Sequence, residues 1–474
     1  MSFERKWTPL VGAILMLADP AGAAQAGRPL SAAEARQEVR LVVDNLMSFH
    51  PDPFHETTRQ AFFAEVATLL AGEGPVTAPE QFFRLARLLS PISDTHTQLH
   101  FTDDTPGFDT TYPLRFRLFP DGLYIIAGNE DYRDAIGKKV VTIAGHQATE
   151  VVDRFAHYSF ADHWPRKRVF AEMLFYHPAT YDFFDLRTAR GTTELVVESS
   201  TGERATVELA ATWDKRASQF GWDMLNPFIP DGLLTVHDVL GTEPPYYQRR
   251  IDDNVWFGFP AGNDRLMYLQ INRQLEPEDG PESIDIILDW ARTLWESAAE
   301  VLVIDLRNDP GGNIFLGDAI SGILPELYVN HPTLKAVAVL FGTDTVSAGT
   351  ILVAQLERTV QPVLIGDPSG SAPNMFLHAE KIVLPHSNIE FEVSREEYVT
   401  TRDLDTRRYI VPDVPMSLSF ADFANGRDPL LDFAATIDDA LAQKIYGAVG
   451  LDAWRRDSQR PALPSHASRT AAAR

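Results

Sequence analysis

The sequence contains no cysteine among its 474 residues. This absence excludes thiol catalysis, disulfide bonds, zinc sites built on thiolates and a lipid anchor attached to cysteine. Lysine is scarce relative to arginine, so mechanisms that need a catalytic lysine have few candidates. Neither the G-x-S-x-G elbow of α/β-hydrolases nor the Gly-Lys-Ser/Thr of a phosphate loop is present.

Positive charge is also in short supply. The formal net charge is −24, which argues against nucleic acid or an anionic membrane surface as the main partner. Hydrophobic residues make up 45% and charged residues 23% of the chain, an ordinary balance for a globular protein. The length suggests two to four domains, and no run after the N-terminus is long enough for a transmembrane helix.

Residues 1–26 have the pattern of a secretory signal peptide. Arg5 and Lys6 precede the short apolar stretch TPLVGAILMLA, and AGAAQA then offers small residues for cleavage after Ala23 or Ala26. The alternative is an ordinary buried amphipathic N-terminus. Together with the lack of cysteine, the signal predicts a bacterial protein that is periplasmic or secreted.

The remaining chain divides by its periodicity into four stretches. Residues 27–100 show helical spacing, with a capping box predicted at Ser31 and Glu34. Residues 101–245 contain short β-branched runs typical of strands. Strand and helix patterns alternate over 246–440, which predicts a parallel α/β core. Residues 455–474 are polar and small, as in a disordered tail.

Two loops follow consecutive strands of this predicted core. DLRNDPGGN (305–313) follows the apolar run VLVIDL, and TDTVSAGT (343–350) follows AVAVLF. Sites in parallel α/β sheets gather at the carboxyl ends of strands. Gly311 or Gly312 could present an N–H to an oxyanion, although a tight turn alone would also need glycine. Ser347 could equally be a helix N-cap or a nucleophile.

A nucleophilic serine needs a base, usually histidine. Among 13 histidines, His96 is the candidate because it lies in the polar turn SDTHT just before a strand. His100, on the same stretch, is its competitor. Most such histidines are structural or exposed, so the residues alone leave this choice open.

Six segments resemble motifs of the C-terminal processing (tail-specific) and tricorn-type serine peptidases. In order along the chain they are SDTHTQL, GKKVVTIAGHQATEVV, VLVIDLRNDPGGN, TVSAGTILVAQL, VLIGDPSGSAPN and IVPDVPMSLSFADFANGRDPLLDFA. The resemblance covers most of residues 35–435. It implies a crotonase-like (ClpP-like) parallel α/β catalytic domain at 246–440. A helical region at 27–100 and a β-rich, PDZ-like insert at 101–245 would precede that domain.

The resemblance also implies site residues. The tail-specific branch uses a Ser–Lys dyad, but SGSAPNMF (369–376) lacks lysine, and Lys381 lies in the next strand-like run. The tricorn-like branch instead pairs serine with a histidine from the upstream turn, which matches Ser347 and His96. Its acid should precede Pro412, where Asp405 is the first choice and Asp403 the second. Gly312 and Ala348 would form the oxyanion hole.

The resulting hypothesis is a secreted serine peptidase that acts on a peptide or protein without cofactor or metal. One alternative is a binder of apolar ligands or peptides on the same scaffold, because the resemblance extends to interphotoreceptor retinoid-binding protein. Another is an esterase or amidase for small molecules. Substrate specificity and oligomeric state have no signal in the sequence.

Overall fold

The computed structural model describes residues 28–445, except 102–103, 109, 212–228, 230–231, 261, 278–279, 402–404, 439 and 442–444. The predicted signal peptide and the predicted tail at 455–474 therefore lie outside the described residues. Within the described part, no helix is long and apolar enough to cross a membrane.

Helices fill most of the first stretch: α1 (Ala32–Phe49), α2 (Arg59–Leu70) and α3 (Ala78–Leu89), followed by strand β1 (Gln98–His100). The predicted capping box is present, because the Glu34 N–H donates to Ser31 Oγ and the Ser31 N–H donates to Glu34 Oε2. Val39, Val42 and Leu46 lie on the buried face of α1, as their helical spacing predicts.

The next stretch is mixed. Its elements are β2 (Leu114–Phe119), β3 (Gly122–Gly128), β4 (Lys139–Ile143), β5 (His146–Gln147), α4 (Ala148–Ala156), α5 (Trp164–Phe170), α6 (Pro178–Phe183), β6 (Thr192–Glu198), β7 (Arg204–Ala210), β8 (Leu234–Thr235) and α7 (Val236–Leu240). The strands form an antiparallel sheet in the order β2-β3-β4-β6-β7, with β5 on β4 and β8 on β3. Its middle, residues 148–183, is largely helical rather than β-rich, because Trp164-Pro165 and Pro178 begin new helices.

The core stretch alternates strands and helices as predicted. Its elements are β9 (Val255–Gly258), β10 (Leu266–Ile271), α8 (Ser283–Glu296), β11 (Val301–Asp305), α9 (Ile314–Asn330), β12 (Ala336–Phe341), α10 (Ala348–Thr359) and β13 (Val363–Gly366). Every residue of β11 is buried, which is why this strand reads as an unbroken apolar run.

The last described elements are β14 (Asn374–Leu377), β15 (Glu380–Val383), β16 (Glu390–Val393), β17 (Glu396–Val399), β18 (Val414–Pro415), α11 (Phe420–Ala424) and α12 (Pro429–Ala434). The core sheet has the order β18-β13-β12-β11-β10-β9. Its pairs are parallel except β9 with β10. Apolar side chains of α8, α9 and α10 cover one face, and α12 covers the other.

Helix α8 shows where a periodicity argument misplaces a face. Ile287, Ala291 and Leu294 are buried as expected. Helical spacing in SIDIILDWARTLWES (283–297) also predicts Leu288 and Trp295 on this face, but they are 53% and 49% exposed. Trp290 is fully buried in their place. The buried face of α8 therefore runs through Ile287, Trp290 and Leu294 and does not extend to Leu288 or Trp295.

Strand β1 connects the N-terminal helices to the C-terminal part of the chain. It pairs antiparallel with β16, with Gln98 opposite Glu392 and His100 opposite Glu390. β15 completes this three-stranded sheet. Because the SDTHT turn directly precedes β1, this pairing carries His96 towards the core sheet.

Candidate active site

Ser347 lies in the sharp turn between β12 and α10. Its backbone has φ 52° and ψ −125°, a left-handed conformation that costs a non-glycine residue about 1–3 kcal/mol. A strained strand-to-helix turn of this kind exposes a serine hydroxyl. The Ser347 side chain accepts no hydrogen bond from an α10 amide, so it does not cap the helix.

The hydroxyl faces His96 instead. Ser347 Oγ and His96 Nε2 are 3.0 Å apart, although the residues are 251 positions apart in sequence. The competitor His100 has a different neighbour, since its Nε2 lies 3.2 Å from Glu392 Oε2. The structure thus brings one of the two candidate histidines to Ser347, within the distance that proton transfer requires.

Asp405, the first choice for the acid that supports His96, does not contact that histidine. Its carboxylate accepts hydrogen bonds from the backbone N–H and the Nε–H of Arg407, whose guanidinium also binds Glu357 on α10. Burial raises the pKa of Asp405, but Arg407 outweighs burial and lowers it overall. The Asp405 carboxylate is therefore paired with Arg407, two positions later in the chain. The second choice, Asp403, lies outside the described residues.

The carboxylate beside His96 is Asp94, which the sequence reasoning missed. Asp94 Oδ1 accepts the backbone N–H of His96 at 3.0 Å and lies 4.0 Å from His96 Nδ1. Among the described residues, His96 Nδ1 is buried without a hydrogen-bond partner. The available signal was the D-x-H spacing itself, since an aspartate carboxylate commonly accepts the backbone N–H of the residue two positions later in a turn.

Asp94 is held on its other side by donors from three segments. Its Oδ2 accepts from His50 Nε2 at 3.1 Å, Thr97 Oγ1 at 2.6 Å and Ser394 Oγ at 2.6 Å. His50 Nδ1 accepts the N–H of Asp52, so the imidazole proton is on Nε2. Burial raises the pKa of Asp94, but the His50 hydrogen bond and the nearby imidazoles outweigh it and bring it to about 2. Asp94 is therefore a fixed negative charge at neutral pH.

The glycine loop contacts the serine turn directly. The Val346 N–H donates to the Asp309 carbonyl at 3.0 Å. A Cβ on Gly311, whose φ is +100°, would lie 2.7 Å from the Ala348 nitrogen, so only glycine fits there. The Gly311 N–H is already bound to the Asp309 carboxylate. Within the described part of the chain, the N–H groups of Gly312 and Ala348 donate to no other group.

Asp309 supports this loop from inside the core. Besides the Gly311 N–H, its carboxylate accepts Gln274 Nε2 at 2.8 Å. Burial raises the pKa of Asp309 to about 7, although both donors act in the opposite direction. The loop after β13 completes the surroundings, since the Ser347 N–H donates to Ser371 Oγ at 2.9 Å.

Lys381 is not near the serine. Its Nζ lies 3.1 Å from Glu390 Oε1 and 2.7 Å from Glu392 Oε1, on the sheet that holds β1. These glutamates and His100 also place one ligand atom each within 4.8 Å of one another, a spacing that suits a metal ion. The Lys381 ammonium lies against both glutamates and offsets one of their two negative charges, so a cation bound here would meet an existing positive charge.

No family model and no curated protein matches the sequence. Solved structures do match. Mature CPAF complexed with lactacystin superposes with a TM-score of 0.59 at 11% identity, over 88% of this chain and 99% of that one. The photosystem II D1 C-terminal processing protease gives 0.38 at 13% identity, over 86% and 98%. The tricorn protease gives 0.40 at 13% identity, over 87% and 37%.

The chain has the mixed α/β fold of CPAF across nearly the whole length of that protein. At 11% identity, the likeness defines a fold and not an activity.

Proposed function

We propose that this protein is a serine peptidase in which Ser347 is the nucleophile and His96 the general base. The observation that carries the proposal is the 3.0 Å contact between Ser347 Oγ and His96 Nε2 in a strained turn. A strained hydroxyl that avoids its helix and faces an imidazole suits nucleophilic catalysis better than a structural role. The core sheet would be the crotonase-like catalytic domain, and the antiparallel sheet before it the PDZ-like insert.

In the proposed reaction, His96 Nε2 accepts the proton of Ser347 Oγ while the oxygen attacks the carbonyl carbon of a peptide bond. The tetrahedral oxyanion would accept hydrogen bonds from the N–H groups of Gly312 and Ala348. His96 then donates its proton to the leaving amine, and water releases the acyl group by the same steps in reverse. Loss of one oxyanion donor in such a site costs about 2.7–4 kcal/mol.

Asp94 takes the place of the acid in this proposal. Its carboxylate holds the backbone of the histidine turn and lies beside the Nδ1 side of the ring. A fixed negative charge at 4.0 Å stabilises the imidazolium that forms when His96 accepts the serine proton.

A phosphonylating serine probe tests the site. We expect a single labelled peptide that contains Ser347, with labelling lost in Ser347→Ala and at least about 10²-fold slower in His96→Ala. His100→Ala is the matched histidine control, and Ser321→Ala, on α9, is the serine control. Both should be labelled at the wild-type rate. Labelling that persists in Ser347→Ala would refute the assignment.

Substrate class needs a second assay. A peptide library and a set of activated esters should both be hydrolysed in a manner dependent on Ser347 if the protein is a peptidase. Ester hydrolysis without peptide cleavage would instead identify an esterase or amidase. A folded protein with neither activity would leave the alternative of a binder.

Export through residues 1–26 remains a prediction, and processing after Ala23 or Ala26 is measurable by N-terminal sequencing of the secreted protein.

A further inference from the structure

One short segment contacts three of the loops that surround Ser347 and His96. This segment, residues 162–166, comprises the end of the connection from α4 and the first turn of α5, and it is called the clasp below. The three loops are the histidine turn at 93–97, the serine turn at 343–347 and the loop after β13 at 367–373. They come from distant parts of the chain, whereas the clasp belongs to the stretch between them in sequence.

Asp162 makes the most direct of these contacts, because its two carboxylate oxygens bind different loops. Oδ1 accepts the backbone N–H of Thr95 at 2.8 Å and the Thr95 hydroxyl at 2.6 Å. Oδ2 accepts the backbone N–H of Ala372 at 3.0 Å. Thr95 immediately precedes His96. Ala372 immediately follows Ser371, whose hydroxyl accepts the Ser347 N–H. A single carboxylate therefore binds the neighbour of His96 and the neighbour of the residue that holds Ser347.

The rest of the clasp fixes the same loops from a buried position. His163 is 4% exposed and its Nε2 lies 2.7 Å from the Ser369 carbonyl. Its Nδ1 accepts the Arg166 N–H, so Nε2 carries the proton and donates. Arg166 is 1% exposed and its Nη1 donates to Asp344 Oδ1 in the serine turn at 2.5 Å.

We infer that Asp162 is a positioning residue that sets the distance between His96 and Ser347. The inference rests on the proposed Ser–His function. The loops that carry His96 and Ser347 are far apart in sequence, so a common binding partner is needed to hold His96 Nε2 and Ser347 Oγ at a fixed distance. A displacement of about 1 Å between reacting groups can reduce a rate about 10²-fold. Asp162 is that partner, since it accepts from the histidine turn and from the loop after β13, whose Ser371 in turn accepts the Ser347 N–H.

The chemistry of the carboxylate makes the role testable with Asp162→Asn. All three bonds to Asp162 need an acceptor. An asparagine keeps one acceptor oxygen for Thr95 but presents an NH₂ to the Ala372 N–H, so one loop is released while the other stays bound. Asp162→Ala releases both loops. Asp182→Asn is the matched control, because Asp182 is 58% exposed and its carboxylate binds Arg187 rather than a site loop.

The rate constant and the affinity of the serine probe would be measured for each variant. Positioning predicts that the maximal labelling rate, kinact, falls about tenfold in Asp162→Asn and about a hundredfold in Asp162→Ala. KI should stay within about twofold, and the final labelled fraction of folded protein should be unchanged. A purely structural role would reduce the folded fraction while the remaining molecules react at the normal rate, and this result would overturn the inference.

Hydrogen exchange separates this inference from the proposed function. Amides in peptides covering 93–98 and 369–374 should exchange faster in Asp162→Ala than in wild type, and those of Asp182→Asn should not. If the wild-type protein is not labelled, the proposed function fails, but this exchange result still decides whether Asp162 ties the two loops. Unchanged exchange in both peptides would overturn the positioning role.

Discussion

Asp94 Oδ1 lies 4.0 Å from His96 Nδ1 and accepts the backbone N–H of the same histidine at 3.0 Å. The Asp94 carboxylate thus fixes the backbone of the histidine turn and places a negative charge beside the His96 ring. Ionisation of Asp94 is secured by donors on its opposite oxygen, His50 among them. The base of the proposed site therefore depends on a network that begins just after α1 and ends at Ser394 after β16.

Asp94→Asn should slow labelling by the serine probe about 10²-fold, because the imidazolium loses its neighbouring charge. The introduced side chain also brings an NH₂ against the donors that now converge on the carboxylate, which should reduce the free energy of unfolding by about 1–3 kcal/mol. Labelling kinetics and urea unfolding measure the two effects. Asp405→Asn is the comparison variant, and its labelling rate should stay within about twofold of wild type. The opposite ranking would restore Asp405 as the acid.

Gly311→Ala should abolish labelling. Two effects combine, since a Cβ there would meet the Ala348 nitrogen at 2.7 Å and the backbone has φ +100°. Gly145→Ala separates them, because Gly145 has φ +81° but no atom within 4 Å of a new Cβ. We expect Gly145→Ala to reduce the free energy of unfolding by about 1 kcal/mol and to be labelled at the wild-type rate. Full labelling of Gly311→Ala would show that the loop does not press against the serine turn.

Glu172→Gln should flatten the dependence of stability on pH. Glu172 lines a cavity of about 100 Å³ between the antiparallel sheet and the core, and its carboxylate accepts the Leu118 N–H at 2.6 Å. Burial raises its pKa to about 8, although Arg117 opposes this. The folded state then holds more protons than the unfolded chain between about pH 4.3 and that value, so stability falls as pH rises through this window.

The test compares urea midpoints of both proteins from about pH 5 to about pH 8, inside that window. The wild-type midpoint should fall more steeply than that of Glu172→Gln. Glu130→Gln, at an exposed site where Glu130 is 73% accessible, should follow the wild type. Parallel curves for wild type and Glu172→Gln would mean that the cavity hydrates the carboxylate enough to keep its ordinary ionisation.

Arg307→Ala should destabilise the fold by about 3–5 kcal/mol. The guanidinium donates to Asp305 at the end of β11 and to Asp428 at the start of α12, and all three side chains are at most 10% exposed. Removing the cation leaves two buried carboxylates unpaired. Arg292→Ala is the surface control, because Arg292 is 70% exposed and pairs with Asp289 at the surface of α8. It should change stability by about 1 kcal/mol or less, as measured by urea unfolding.

Much of the fold could be predicted from the sequence because its signals are local. The unbroken apolar run at 301–306 marks a strand covered on both faces, and alternation of such runs with helical spacing predicts a parallel core. The sequence placed Ser347 and the Gly-Gly loop after consecutive strands, and the pairing of β11 with β12 then made the two loops neighbours. Ser31 and Glu34 predicted the start of α1 from four consecutive residues.

Contacts between distant segments were decided only by the tertiary structure. Four positions separate His96 from His100, yet the pairing of β1 with β16 sends one to Ser347 and the other to Glu392. Asp405 matched the expected place along the chain but was captured by Arg407. A carboxylate stabilises an imidazole through its distance in space, and with 66 acidic residues in the chain, spacing along the sequence cannot determine which one folds into reach.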